Sequence, residues 1–192
     1  EIVLGMRYIH SHNLIHRDIK PANILLSKNN HVRIADFGLT KEENFETSQS
    51  KGIGTILFMA PELYNDDDDD DNDDKMYGCK VDVYSFGITL LFLITEQYPK
   101  YNLSQIVSGK PPKLIEKVVG WAAELITQCL QVSPDDRPSF GEIFETFKLH
   151  NFDLFSDTNP ASLSRQQRKA KEDIEHRILK IEAYEYQQQL NY

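Results

Sequence analysis

Two carboxylates, an amine and an amide fall within nineteen positions: Asp18, Lys20, Asn23 and Asp36. Their types suit one kind of chemistry. Carboxylate and amide oxygens are hard ligands for Mg²⁺. A carboxylate ionised at neutral pH can orient or accept the proton of a hydroxyl. An ammonium is a compact positive charge for a phosphate oxygen. Phosphoryl transfer needs an oriented hydroxyl, shielded phosphate charge and in-line geometry. Asp and Asn also favour turns and caps with no function attached. The elements that would position them therefore matter.

Residues 2–12 read as the end of a helix, with Ile2, Val3, Leu4 and Met6 at helical spacing and a close around His12-Asn13. Ile24-Leu25-Leu26 and Val32-Arg33-Ile34 are β-prone runs, and Ser27-Lys28-Asn29-Asn30 between them is turn chemistry, so a small hairpin is predicted. Residues 36–62 form a long polar segment, expected to be mobile unless something pins it. Val83, Phe86, Leu90, Leu93 and Ile94 follow a helical period, but the other faces are apolar too. This predicts a helix buried all round, the spine of the domain. A helix over 117–130 comes next, with Val118, Trp121, Ala122, Leu125 and Leu130 as its apolar set. Ser139-Phe140-Gly141-Glu142 fits a capping box and should open the last core helix, to about His150.

With 192 residues the chain can bury one good core. The net charge is −9, but Asp66 to Asp71, Asp73 and Asp74 supply eight of the negative charges and leave −1 without them. The acidity is one local insert, 66–74, and nothing basic enough for nucleic acid appears. Counted as an EF-hand from Asp66, the insert has Asp71 where Gly is required and Tyr77 where Glu is required, so it reads as a solvated loop. Gly52-Ile53-Gly54 lacks the third glycine of a phosphate loop. The apolar run from Val83 to Ile94, about twelve residues, is too short to span a bilayer of about 30 Å. Cys79 and Cys129 make no disulfide framework, which favours a reducing, cytoplasmic setting. Asn102-Leu103-Ser104 is a glycosylation sequon by pattern only.

The order of three motifs decides between turn chemistry and function. His16-Arg17-Asp18-Ile19-Lys20-Pro21-Ala22-Asn23 comes first, Asp36-Phe37-Gly38 is second, and Ala60-Pro61-Glu62 comes later. In this order and spacing, residues 1–150 resemble the C-terminal lobe of a eukaryotic-type Ser/Thr protein kinase. Lys20 followed by Pro21 is the Ser/Thr pattern. Val83-Tyr84-Ser85-Phe86-Gly87 and the Cys129 to Phe140 segment are similar to the tyrosine-kinase-like group. The resemblance implies a truncated C-lobe of α+β type, mainly α with small β-hairpins. Residues 151–163 would then be a linker and 164–192 a charged helical tail.

The resemblance also implies roles. Asp18 would be the catalytic base, and Lys20 would contact the γ-phosphate of ATP. Asn23 and Asp36 would hold Mg²⁺, and Leu25 would floor the adenine site. His16 and Phe37 would pack together beneath, beside Gly38. Asp82 could be a simple helix cap, but in the family the matching residue holds the catalytic-loop backbone. Arg17 would meet a phosphate on the activation segment, with Thr47, Ser48 and Ser50 as candidates. Thr55 resembles a substrate-pocket threonine near Asp18 and Lys20. Glu62 and Arg137 are expected to pair.

Only fifteen residues precede His16, and no stretch matches the family's glycine-rich loop, its ATP-binding lysine or that lysine's glutamate. The chain opens on Glu1 inside an apolar helical pattern, which suggests a fragment or truncated reading. A kinase whose partner lobe lies elsewhere in the parent chain is expected, acting on Ser/Thr of protein substrates. This stretch alone would be weakly active or inactive. A pseudokinase or a docking scaffold is the alternative. In the tail, Ile174, Ile178 and Ile181 at i, i+4, i+7 fit either a plain helical extension or a self-associating helix. No membrane partner is expected.

Overall fold

The computed structural model describes residues 1–29, 31–36, 41–42, 57–64, 78–100 and 102–150. Helix α1, Ile2–Ser11, turns Val3, Met6 and Ile9 inward. Asn13, just past its end, lies in the left-handed region, φ 55°, a conformation Asn tolerates better than most residues. It reverses the chain into β1, Leu14–Ile15, which pairs antiparallel with β4, Lys41–Glu42. The sequence pattern contains no signal for this two-residue ladder.

The hairpin forms where the β-prone runs lie. Strands β2, Ile24–Leu26, and β3, Val32–Ile34, pair antiparallel with Ile24 opposite Ile34. Ser27 closes the turn: its amide donates to the His31 carbonyl at 2.8 Å, and its hydroxyl accepts the His31 amide at 3.0 Å.

Helix α2, Lys80–Thr95, is the spine, with every residue from Val81 to Leu91 buried. Two polar side chains inside it are satisfied by the backbone. Ser85 Oγ donates to the Phe58 and Val81 carbonyls, and Thr89 Oγ1 to the Ser85 carbonyl. Leu93 departs from the all-round burial expected of this run. It is 43% exposed, while Ile94 beside it stays in the core, so only one side of the last turn is covered before Glu96 ends the helix at φ 56°. A short helix α3, Leu103–Val107, was not legible as an element. Its start is a capping box in which Asn102 Oδ1 accepts the Gln105 amide, so the sequon asparagine serves as a helix cap.

The helix expected over 117–130 is shorter. Lys113–Lys117 is a 3₁₀ turn, Gly120 sits at φ 67°, and helix α4 runs Trp121–Cys129. The left-handed glycine breaks the continuity that the apolar spacing implied. Val118 and Leu130, assigned to that helix, flank it and remain buried. Helix α5, Phe140–Leu149, opens on the expected capping box of Ser139 and Glu142. It packs on α1 with Arg7 over the Phe144 ring at 5.3 Å. Helix α4 packs on α2. Among the described residues no helix is long and apolar enough to cross a membrane.

Candidate active site

Asp18 sits in the loop between β1 and the 3₁₀ turn Pro21–Asn23. Its carboxylate is held on one side only. Oδ2 accepts from Lys20 Nζ at 2.6 Å and from Asn23 Nδ2 at 2.8 Å. Asn23 Nδ2 also donates to the Asp18 carbonyl at 2.8 Å, so the loop closes on itself. The other oxygen, Oδ1, is buried and has no hydrogen-bond partner among the described residues. A buried, unpartnered carboxylate oxygen is costly unless a donor from outside completes it.

The hairpin brings the second carboxylate to the same place. The Ala35 amide donates to the Asn23 carbonyl at 2.8 Å, and His16 Nε2 bonds the Ala35 carbonyl at 3.1 Å. Asp36 is the next residue, exposed and left-handed at φ 65°. Asp18, Lys20, Asn23 and Asp36 therefore share one edge, and His16 lies fully buried beneath it. Leu25 stands on β2, 51% exposed.

Asp82 supports this loop from α2. It is fully buried at the third residue of the helix, so it is not the cap; Cys79 occupies that position. Asp82 Oδ2 accepts the His16 amide at 2.8 Å, and Oδ1 accepts the Arg17 amide at 2.7 Å. Arg17 lies at φ 67°, a strained conformation for a residue with a Cβ, and its amide is pinned there. Burial lowers the Arg17 guanidinium's pKa, and the charge of Asp82 works against that shift.

One residue of the site, His10, has no counterpart among the sequence motifs. Its Nε2 lies 2.9 Å from Asp82 Oδ2. Burial disfavours its charge, but bonds to Asp82 and Cys79 outweigh this and raise its pKa to about 9. A signal was available: His10 extends the inward stripe of Val3 and Met6, an ionisable ring on an apolar face.

Glu62 and Arg137 meet away from the edge. Arg137 Nη1 and Nη2 donate to the two Glu62 oxygens, each at 2.7 Å. With Phe58 bonded to Ser85 and Phe58, Ala60 and Pro61 buried, this end of the polar segment is pinned to the core. Phe37, Gly38, Thr47, Ser48, Ser50 and Thr55 lie outside the described residues, as do 66–74, 151–163 and 164–192.

The donor set fits a hard divalent cation. Both bonds named for Asn23 use its amide nitrogen and leave the oxygen chemistry for a metal, and Asp36, exposed, follows directly on Ala35, whose amide bonds the Asn23 carbonyl. Among the described residues no group of three or more His, Cys, Asp or Glu side chains is arranged to hold a metal ion. Mg²⁺ bound with phosphate is commonly held by only one or two carboxylates.

Similarity to known proteins agrees with this geometry. The family model described as protein kinase domain matches residues 1–147. The chain is 35% identical over 153 residues to a probable serine/threonine-protein kinase of Dictyostelium discoideum, covering 78% of this chain and 14% of that protein. It is 33% identical over 168 residues to the mitogen-activated protein kinase kinase kinase dlk-1 of Caenorhabditis elegans, covering 82% and 17%. It is 37% identical over 149 residues to mitogen-activated protein kinase kinase kinase 1 of Arabidopsis thaliana, covering 74% and 24%. The chain thus spans less than a quarter of the length of each of these relatives. Matched along nearly all of its described length, with the motif residues gathered on one edge, the chain belongs to the protein kinase domain family.

Proposed function

We propose that this chain is the C-terminal, phosphotransfer lobe of a Ser/Thr protein kinase of the tyrosine-kinase-like group. One observation carries the reading. Asp18 presents a buried oxygen with no partner among the described residues, while its other oxygen is tied to Lys20 and Asn23. A substrate Ser or Thr hydroxyl would supply the missing donor, and Asp18 would orient it and take its proton. Lys20, already beside Asp18, would face the γ-phosphate of ATP as a point charge. Asn23 and Asp36 would hold Mg²⁺, which when bound offsets the charge on the phosphate oxygens. Leu25, exposed on β2, would meet the adenine. Arg17 would face a phosphate on the activation segment, with Thr47, Ser48 or Ser50 as its carrier.

Nothing within the 192 residues matches the glycine-rich loop or the lysine that holds the α- and β-phosphates. By itself this stretch is expected to transfer phosphate weakly or not at all. The test therefore uses the full-length protein with Mg-ATP and a generic basic Ser/Thr substrate. Asp18→Asn should lower kcat by about 10²–10⁴-fold and leave the melting midpoint within a few degrees. Equal activity in the variant would remove Asp18 from the reaction. A wild-type protein that transfers no phosphate would favour the scaffold alternative.

A further inference from the structure

We propose that Tyr98 is a specificity-determining residue that gives the polypeptide substrate an apolar contact close to its phosphoacceptor; the proposal rests on the kinase reading above and narrows the substrate it acts on. Tyr98 is 55% exposed, yet its ring is fixed. One face stacks on Phe92, with centroids 4.4 Å apart and planes 29° apart. The ring also stands edge-on to Phe58 at 6.4 Å. Glu96, left-handed at φ 56°, ends α2 and turns the chain back so that Tyr98 meets Phe92. A ring already immobilised by its neighbours, with more than half of its surface in water, is a contact surface that loses little entropy on binding.

One face of α2 places this ring beside the loop that carries Asp18. Ser85 Oγ donates to the Phe58 carbonyl at 2.7 Å. One turn on, about 6 Å along the axis, Thr89 Oγ1 donates to the Ser85 carbonyl and lies 3.5 Å from the Ile19 carbonyl. Ile19 stands between Asp18 and Lys20. Phe92 follows three residues after Thr89, on the same face. Phe58, Ile19 and Phe92 thus belong to successive turns of one helix face, and Tyr98 bridges the two aromatic rings. An extended polypeptide advances about 3.3 Å per residue. With its Ser or Thr hydroxyl at the open oxygen of Asp18, side chains up to about four positions away come within reach of Tyr98.

The surroundings favour an apolar side chain there. Leu93, next to Phe92 in the chain, adds an aliphatic side chain that is 43% exposed. Lys100 follows Tyr98 by two residues, and Lys117 Nζ donates to Gln97 Oε1 at 3.0 Å. Against these two ammonium groups, residues 96–100 hold one carboxylate, Glu96. A basic substrate side chain gains nothing from that balance. An apolar one gains by leaving water for the ring.

The experiment uses the full-length protein, Mg-ATP and a series of Ala-Gly peptides with one central Ser. Each position from about four before the Ser to about four after it is in turn Leu, Ala, Arg or Asp. The readout is kcat/KM for each peptide. Leu should exceed Ala by about five- to twentyfold at one of these positions. Tyr98→Ala should bring that ratio to about one and Tyr98→Phe should keep it, with KM for ATP within about twofold of wild type in both. A merely structural role would slow all peptides together and leave the ratio unmoved. Tyr98→Arg, whose stem can still cover Phe92, should turn the preference toward Asp, and it decides alone if Tyr98→Ala does not fold. The absence of a Leu preference at every position would overturn the proposal, as would an unchanged ratio in Tyr98→Ala or Tyr98→Arg. A preference for Arg that Tyr98→Ala removes would also overturn it, since the ring would then bind a cation. A wild-type protein that phosphorylates neither itself nor any peptide sinks the kinase reading and this proposal with it. Transfer without the expected ratio sinks the proposal alone.

Discussion

Arg137 grips Glu62 with two parallel hydrogen bonds of 2.7 Å, and its side chain is completely buried. Its remaining donors go to the carbonyls of Gln131, Lys80 and Val132, so all five guanidinium N–H groups are used. The Tyr84 ring lies 5.2 Å from the guanidinium carbon. One side chain therefore ties the 3₁₀ turn Pro61–Tyr64 to α2 and to the chain after α4.

Arg137→Ala should lower stability by about 3–5 kcal/mol, because Glu62 and three carbonyls lose their donor at once. Arg137→Lys should recover little, since an ammonium cannot fork onto both carboxylate oxygens. Denaturant midpoints of the two variants check this. An unchanged midpoint in Arg137→Ala would show that the pair contributes nothing.

Gly87 sits where α2 packs against the end of α4. A Cβ there would stand 2.8 Å from Cys129 Cβ and 3.0 Å from Leu130 Cδ2. Alanine would gain about 1 kcal/mol of helix propensity, but Cys129 Cβ is bonded directly to the backbone and cannot swing away. We expect Gly87→Ala to destabilise by about 1–3 kcal/mol net. Gly78→Ala, with nothing within 4 Å, is the control and should be near neutral by thermal melting.

His10 should make stability depend on pH. Burial opposes its charge, but Asp82 and Cys79 prevail and the folded pKa is about 9, against about 6.5 when unfolded. The folded protein then holds a proton that the unfolded chain releases. Stability from this group is full below about pH 6.5 and is lost as pH rises to about 9, by at most about 3 kcal/mol. Urea midpoints from pH 6 to 9.5 should fall more steeply in wild type than in His10→Gln. Parallel curves would mean that His10 stays neutral.

The two cysteines should react differently. Burial pushes the Cys129 thiol up to about 12, against weaker opposing effects of Arg137 and Lys80. It carries almost no thiolate at pH 8, and its side chain is inaccessible. Cys79 is half-buried. Iodoacetamide at pH 8 should label Cys79 first and reach Cys129 only through unfolding. Mass spectrometry of the native protein, with a urea-unfolded control, reads this directly.

The hairpin, the buried spine and the capped last helix were all legible because each is written locally. Short β-prone runs around a turn, an apolar run of helical length, and Ser139 three residues before Glu142 are signals within a few positions. The β1–β4 ladder was not legible, since two-residue strands separated by a loop and a whole hairpin leave no pattern. The late start of the helix expected over 117–130 turned on Gly120 adopting φ 67°, which spacing alone does not reveal.

The motif residues and their order were set by the chain itself, and with them the donor types available for Mg²⁺ and phosphate. Which of those donors meet was decided by long-range contacts. Asp82 lies 66 residues from His16 and 72 from His10, and Arg137 lies 75 from Glu62. Hydrogen bonds across such separations form only once helices pack and exclude water, because a buried carboxylate must then find donors wherever the fold presents them. The open oxygen of Asp18 and the bond from His10 to Asp82 therefore belong to the folded molecule, and linear spacing did not contain them.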